Sequence, residues 1–497
     1  MNNRATGFAA LLAFSLGAAT GAEPSPLVAQ ARASLEKATA YLRTISTEGG
    51  YLWRYSPDLT ERAGEVKATA TQVWIQPPGT PAVGAAFLEA FAATKDARHL
   101  DAARAAAVAL ATGQLESGGW DYLIEFDSEK SRAWFRRTDA GKLQPAEAAA
   151  RKNISTYDDD NSQSAVRFLL DYCDVAKSSA DPRDGGVRAA LDYGLKKLME
   201  AQYPNGAWPQ RFDGKPRNAA DYPILKATLP KEYPREYTRE NYFRHYTLND
   251  NTQRDCVRTA LDAFHRTGRR EFLEAAKRGG DFLILAQLPE PQPVWAQQYN
   301  ARMEPAWARA FEPPAACGNE SIGAMRTLVE IFLETGDAKY LAPIPAALEW
   351  FKRSEIAPNV WARYYELHTN KQLFGDRDGK IYYRIEDISA ERRGGYSWRG
   401  EYGVNSFRNY FENVQRVGRE EWNARRAPKP RTPRRAAEHA QSLEPRVKSI
   451  LAAQDAQGRW ITRRRGTRAE FTSTDLIETS AFIANMAVLS EFIEASQ

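Results

Sequence analysis

Three polar clusters concentrate oxygen ligands at short spacing. They are Ser155-Thr-Tyr-Asp158-Asp159-Asp160-Asn161-Ser-Gln163, Tyr246-Thr-Leu-Asn249-Asp250-Asn251-Thr-Gln253 and Cys317-Gly-Asn-Glu320-Ser321. Asp, Asn and Ser at a helix start satisfy free N–H groups, so one residue per cluster can serve as a cap. Three consecutive aspartates exceed that need, because adjacent carboxylates repel unless they are solvated or hold a cation. Hard oxygen donors at this density suit calcium rather than a transition metal. On spacing alone, capping and cation binding both stay open.

A second constellation is cationic. It comprises Trp307-Ala-Arg309-Ala-Phe-Glu312-Pro-Pro, then Trp361-Ala-Arg363-Tyr-Tyr-Glu366-Leu-His-Thr369-Asn370, Phe374-Gly-Asp-Arg377-Asp378-Gly379 and Glu391-Arg392-Arg393-Gly-Gly-Tyr396-Ser-Trp398. Arginine beside Tyr and Trp can fork onto carboxylates and stack on rings. The plainer reading is surface ion pairing with Glu312, Glu366 or Asp376, each pair worth little. Taken together, a carboxylate cluster and an arginine cluster in a Trp-rich chain suit an anionic sugar polymer.

The rest of the composition narrows the classes. The chain has 497 residues, 43% apolar and 26% charged, which is globular composition and excludes disorder or a small disulfide scaffold. A net charge of +5 is too small to argue for nucleic acid. Three cysteines, Cys173, Cys256 and Cys317, allow at most one disulfide, and no CxxC occurs. Five scattered histidines give no zinc pattern, and no GxSxG occurs.

The elements that must position these clusters show as an internal repeat. Thr94, Thr267 and Thr335 each precede a leucine by six residues (Leu100, Leu273, Leu341), and Trp120, Trp295 and Trp361 follow those leucines by 20, 22 and 20. Apolar periodicity predicts helices over 82–93 and 97–112, 253–266 and 270–287, 321–334 and 338–353, with closing helices over 437–454 and 475–495. Trp53, Trp208 and Trp460 mark similar places, and the glycine before the latter two permits a tight turn. Such hairpins bury their apolar stripes only by stacking. Gaps between successive repeat tryptophans of 67, 88, 87, 66 and 99 favour a toroid over a regular solenoid. The expected fold is all-α: an (α/α) toroid-like hairpin repeat whose long irregular loops carry the site.

Residues 1–22 read as a signal peptide, with Arg4 before an apolar run and small residues before Glu23. Placement is then secreted or periplasmic. Residues 23–497 are expected to form a single domain, with charged inserts at about 128–153 and 213–241 and a basic loop at about 416–436. No later segment reads as a membrane span, and neither membrane nor nucleic acid is an expected partner.

These stretches together resemble the pectate lyases of polysaccharide lyase family 10. The matching segments are TYDDDN (156–161), AQYPNGAWPQ (201–210), YTLNDNTQ (246–253), WARAFEPPAACGNES (307–321) and RYYELHTNKQLFGDRDG (363–379). The resemblance implies an α/α toroid, cleavage of polygalacturonate by β-elimination, and Ca2+. It implies Arg309 as the catalytic base and Arg363 and Arg377 as substrate arginines. Asn370, Tyr396 and Trp208 join them as substrate-binding residues. For the metal it implies Asp250 and the TYDDDN cluster, where Asp158 and then Asp160 are favoured. Departures are Ala207 in place of a second glycine before Trp208, and Lys371-Gln372 after Asn370 where the family has Arg-Pro.

The chemistry agrees with that resemblance. A uronate C5–H is acidified by its carboxylate, and elimination requires neutralising that charge, removing the proton and protonating O4. The expected protein is a monomeric lyase acting on a polyuronate chain. Three alternatives are a glycoside or unsaturated uronyl hydrolase using Asp158 and Asp250 as its carboxylate pair, a non-catalytic polysaccharide-binding helical repeat, and a lyase acting on another uronate polymer.

Overall fold

The computed structural model describes residues 25–427, 432–463 and 471–497. The leader expected at 1–22 lies outside the described residues. The helices are α1 (Pro26–Ile45), α2 (Thr80–Thr94), α3 (Ala97–Gly113), α4 (Pro145–Ala150), α5 (Asn161–Val175), α6 (Arg183–Glu200), α7 (Thr252–Thr267) and α8 (Arg270–Ala286). They continue with α9 (Gly318–Thr335), α10 (Ile344–Arg353), α11 (Ala390–Gly395), α12 (Val404–Val417), α13 (Arg419–Arg426), α14 (Pro433–Ala453) and α15 (Thr479–Ala495). The helices α15, α2, α5, α7, α9 and α12 pack side by side in that order as an inner series. Outer partners α14, α3, α6, α8 and α13 complete hairpins, the 3-10 turn at Ala338–Leu341 that leads into α10 packs on α9, and α1 lies outside between α14 and α3. This is the all-α, toroid-like hairpin array expected.

The repeated residues explain why it forms. Thr94, Thr267 and Thr335 donate to the carbonyls of Ala90, Ala263 and Ile331 at 2.6, 2.6 and 2.8 Å, closing the last turn of each inner helix. Each hydroxyl also accepts the N–H two residues on at 3.2 Å, which fixes the turn into the outer helix. The repeat tryptophans end five of the outer helices, α3, α6, α8, α10 and α14. Trp120, Trp208, Trp295, Trp361 and Trp460 donate Nε1–H to Leu110, Leu198, Leu283, Phe351 and Ile450 at 2.7–3.0 Å, satisfying carbonyls that the helix leaves open. Gln114, Gln202 and Gln454 each bridge the following turn to the next outer helix, reaching Ala190 of α6, Ala275 of α8 and Ser34 of α1 at 2.8, 2.9 and 3.1 Å. Gly206 in one such turn has φ +95° and a Cβ there would stand 1.9 Å from the Arg278 carbonyl, so only glycine fits.

Some expectations change. The helix read over 338–353 divides into a 3-10 turn at Ala338–Leu341 and α10, because Pro343 cannot donate its N–H to a continuing helix. The last predicted helix begins at Thr479, and Asp475–Glu478 instead pairs antiparallel with Ile461–Arg463 and Arg54–Tyr55. The basic tract at 416–436 is not simply a loop: it holds α13 and the start of α14, with 428–431 outside the described residues. Trp53 does not close an outer helix but donates its indole N–H to the Gln76 carbonyl at 2.7 Å. All three cysteines are free. Among the described residues no helix is long and apolar enough to cross a membrane.

Candidate functional site

The site lies where the inner helices begin. Short antiparallel pairs pin each approach: Ser155–Thr156 with Arg211–Phe212, Tyr246–Thr247 with Gln298–Tyr299, and Ala316–Cys317 with Tyr364–Tyr365. The last pair belongs to a four-stranded sheet that continues through Gln372–Gly375 to Ile381–Tyr382. That sheet fixes the Arg363 and Arg377 segments beside the start of α9.

Two of the approaches share one turn. Asp159 and Asp160 have φ of 50° and 58°, and Asp250 and Asn251 have 48° and 60°. Asp and Asn tolerate this left-handed region better than other side-chain-bearing residues, which explains the composition of both turns. The shared conformation makes Asp159 the counterpart of Asp250, and Asp158 that of Asn249. Asp158, Asp159 and Asp250 converge, each offering a carboxylate oxygen within 4.8 Å of the others. Asp160 is not in this group. It forms an ion pair with Arg167 instead, and Asp159 takes its place beside Asp158 and Asp250 in the carboxylate group.

The electrostatics of the three carboxyls reflect crowding. Burial, then the charges of Asp158 and Asp250, pushes Asp159 up to about 7. Burial and Asp158 push Asp250 up to about 6, and burial raises Asp158. Arg309 pulls in the opposite direction on all three, so its charge acts on the whole cluster. Asp158 accepts from the Tyr122 hydroxyl at 2.9 Å, and Asp159 accepts from Gln76 Nε2 at 3.0 Å.

Arg309 is forked onto Glu312, with Nε to Oε2 at 2.8 Å and Nη2 to Oε1 at 2.5 Å. Burial works against its charge, but the Glu312 hydrogen bonds and charge prevail and raise its pKa above the ordinary arginine value. Arg363 is buried at 7% exposure, pairs with Glu320 at 3.1 Å and stacks over Tyr396 at 4.5 Å. Its charge also acts on Asp250. Burial pushes Glu320 up to about 7 despite Arg363. Tyr396 donates to Glu312 at 2.8 Å and lies 2.8 Å from the Tyr364 hydroxyl, so it links the two arginines. Arg377 is exposed, pairs with Glu391 at 2.9 Å and shares the Phe311 ring with Arg309.

Two assignments do not fit a substrate contact. Trp208 is 0% exposed and its indole N–H is committed to Leu198, so its ring cannot meet a sugar. The Asn370 amide is spent inside the fold: Oδ1 accepts from Trp350 at 3.0 Å and Gln292 at 3.2 Å, and Nδ2 donates to Ser354 at 2.8 Å. Sequence reasoning missed Gln76 and Tyr122, left Asp159 unassigned within its cluster, named Glu312 only as a surface ion-pair partner and did not pair Glu320 with Arg363. A signal for Asp159 was present, since aligning Thr156 with Thr247 puts it opposite Asp250.

A family model described as pectic acid lyase matches residues 124–359 and 354–406. The chain belongs to that family and is a polysaccharide lyase, as its resemblance to family 10 implied. No curated protein matches the sequence. Among solved structures, a family 10 polysaccharide lyase from Cellvibrio cellulosa is 24% identical, with 68% of this chain and 96% of that one covered and a TM-score of 0.45. A mutant of a family 10 lyase from the same organism, in complex with trigalacturonic acid, is 23% identical, covering 68% and 98% at a TM-score of 0.44. Cellobiose 2-epimerase from Bacillus thermoamylovorans is 13% identical, covering 94% and 98% at a TM-score of 0.44.

Proposed function

We propose that the chain cleaves polygalacturonate by calcium-assisted β-elimination. The observation that carries this reading is the convergence of Asp158, Asp159 and Asp250, on which the charge of Arg309 acts, in a pectic acid lyase. The cluster fits a hard divalent ion. Its donors are oxygens, and Asp158 Oδ1 and Asn249 Oδ1 are buried without a hydrogen-bond partner among the described residues. Asp158, Asp159 and Asp250 would hold the ion, which when bound supplies positive charge to the uronate carboxylate.

Around it, this chain's residues bind and move a proton. Arg363 and Arg377 take uronate carboxylates, and Tyr396 keeps Arg363 and Glu312 in register. The C5 proton passes to a nitrogen of Arg309 in its neutral form, the electron pair forms the C4–C5 double bond, the C4–O4 bond breaks and O4 takes a proton from water. Glu312 favours the charged guanidinium, so the neutral fraction is small and the rate is expected to rise far into the alkaline range. The same ion pair favours a second reading, in which Arg309 stays a cation and stabilises the enolate-like charge while a carboxylate of the cluster takes the C5 proton. A pH–rate profile separates them, because a cation role gives a plateau where a base role keeps climbing.

The test is the ultraviolet absorbance of the unsaturated product from polygalacturonate. Arg309→Ala, shown to be folded, is expected to lose about 100- to 10,000-fold in rate, and a chelator is expected to abolish activity that calcium restores. Retention of most of the rate by Arg309→Ala would remove Arg309 from the chemistry. Export is part of the proposal: residues 1–22 are a cleaved leader and the working enzyme is a secreted or periplasmic monomer, to be checked by sequencing the mature N-terminus and by sedimentation.

A further inference from the structure

We propose that Gln76 and Tyr122 are positioning residues that hold the two adjacent aspartates of the cation cluster. Both precede residue 124, where the match to the family begins, so the N-terminal hairpin completes a site whose carboxylates lie in the matched part. The inference rests on the cation reading above.

Two neighbouring strands deliver the pair. Gln72–Trp74 runs antiparallel to Leu123–Glu125, with Trp74 opposite Leu123, and Ile75 N–H donates to the Tyr122 carbonyl at 2.8 Å. Gln76 therefore leaves one strand beside Tyr122 on the other. The first reaches Asp159 at 3.0 Å and the second Asp158 at 2.9 Å, one donor for each carboxylate.

The Gln76 amide has one possible orientation. Trp74 Nε1–H can only donate, and it meets Gln76 Oε1 at 3.2 Å, so the NH2 group must face Asp159. The backbone is held as well, since the Gln76 carbonyl accepts from Trp53 Nε1 at 2.7 Å and from Gly79 N at 2.9 Å. Gln76 is 8% exposed. Neutral donors suit the task. Each fixes one oxygen of a carboxylate and leaves the negative charge for a cation, whereas a Lys or Arg in either place would neutralise a ligand and compete with the ion.

The experiment is calcium titration by calorimetry of the purified full chain after chelator treatment, with melting temperature measured free of calcium. Partners that orient metal ligands are typically worth about 10–100-fold in affinity. Gln76→Met and Tyr122→Phe are each expected to weaken calcium binding by about that factor. Gln72→Ala is the control. It loses a similar hydrogen bond, to Glu125 at 3.0 Å on the same strand pair, and is expected to bind calcium as the unsubstituted chain does. Binding by Gln76→Met and Tyr122→Phe that equals the unsubstituted chain would overturn the positioning role and leave the cation site standing. A matching loss in Gln72→Ala would overturn it too, by tracing the effect to the strands. If the unsubstituted chain binds no calcium, the cation reading and this inference fall together.

Discussion

At the residue scale the site is a problem of like charges held close. Asp159, pushed up to about 7, and Asp250, pushed up to about 6, keep protons that the unfolded chain has released by roughly pH 4. Between those values the unfolded state binds fewer protons than the folded one, so these groups make stability fall as pH rises. The melting temperature of calcium-free protein is therefore expected to drop from pH 5 to pH 7. The drop should be shallower in Asp159→Asn and flattened in the parent by calcium, which takes the place of the protons. A slope that is the same in Asp159→Asn would show that Asp159 is not the strained group. The acidic clusters and arginines were legible in the sequence because charge density is local. Which aspartate faces inward was not decided by charge. It depends on a left-handed turn, and only the comparison of TYDDDN with TLNDNT could expose that.

At the element scale the repeat turned out to be a hydrogen-bond device. Threonines close three inner helices, tryptophans close five outer helices, and glutamines tie three outer helices to the next. The spacing of Thr, Leu and Trp gave away the hairpins, since each of these residues acts on its own helix. The use of Trp208 was misread for the same reason: residue type suggests stacking on sugar, but only packing shows that the ring is enclosed. Trp208→Phe keeps an aromatic ring and loses the bond to the Leu198 carbonyl at 2.9 Å. It is expected to cost about 1–3 kcal/mol in denaturant unfolding with KM for polygalacturonate unchanged. A raised KM at unchanged stability would return Trp208 to the substrate groove.

At the scale of the whole molecule the chain's last hairpin comes before its first. Gln454 joins α14 to α1 through Ser34 with the geometry that Gln114 and Gln202 use between successive outer helices, and α15 packs against α2. The sequence marked the closing helices, but no local pattern showed which helices they meet, because the contact pairs residues more than 400 positions apart. It has a consequence for the site. Thr479, the first residue of α15, is fully buried and donates Oγ1–H toward the Pro78 carbonyl at 3.0 Å and the Trp53 carbonyl at 3.1 Å. Those carbonyls flank the segment that carries Gln76. In Thr479→Val the Trp53 carbonyl keeps the Thr479 backbone N–H as donor, at 3.0 Å in the parent, while the Pro78 carbonyl loses its partner. Loss of that half-buried hydrogen bond costs about 0.5–1.5 kcal/mol, so unfolding in denaturant should come earlier by that amount. Because the Gln76 segment loosens with it, calcium affinity should fall in the same variant by a few-fold, less than in Gln76→Met. Stability lost with calcium affinity intact would mean that the C-terminal hairpin supports the fold but not the site.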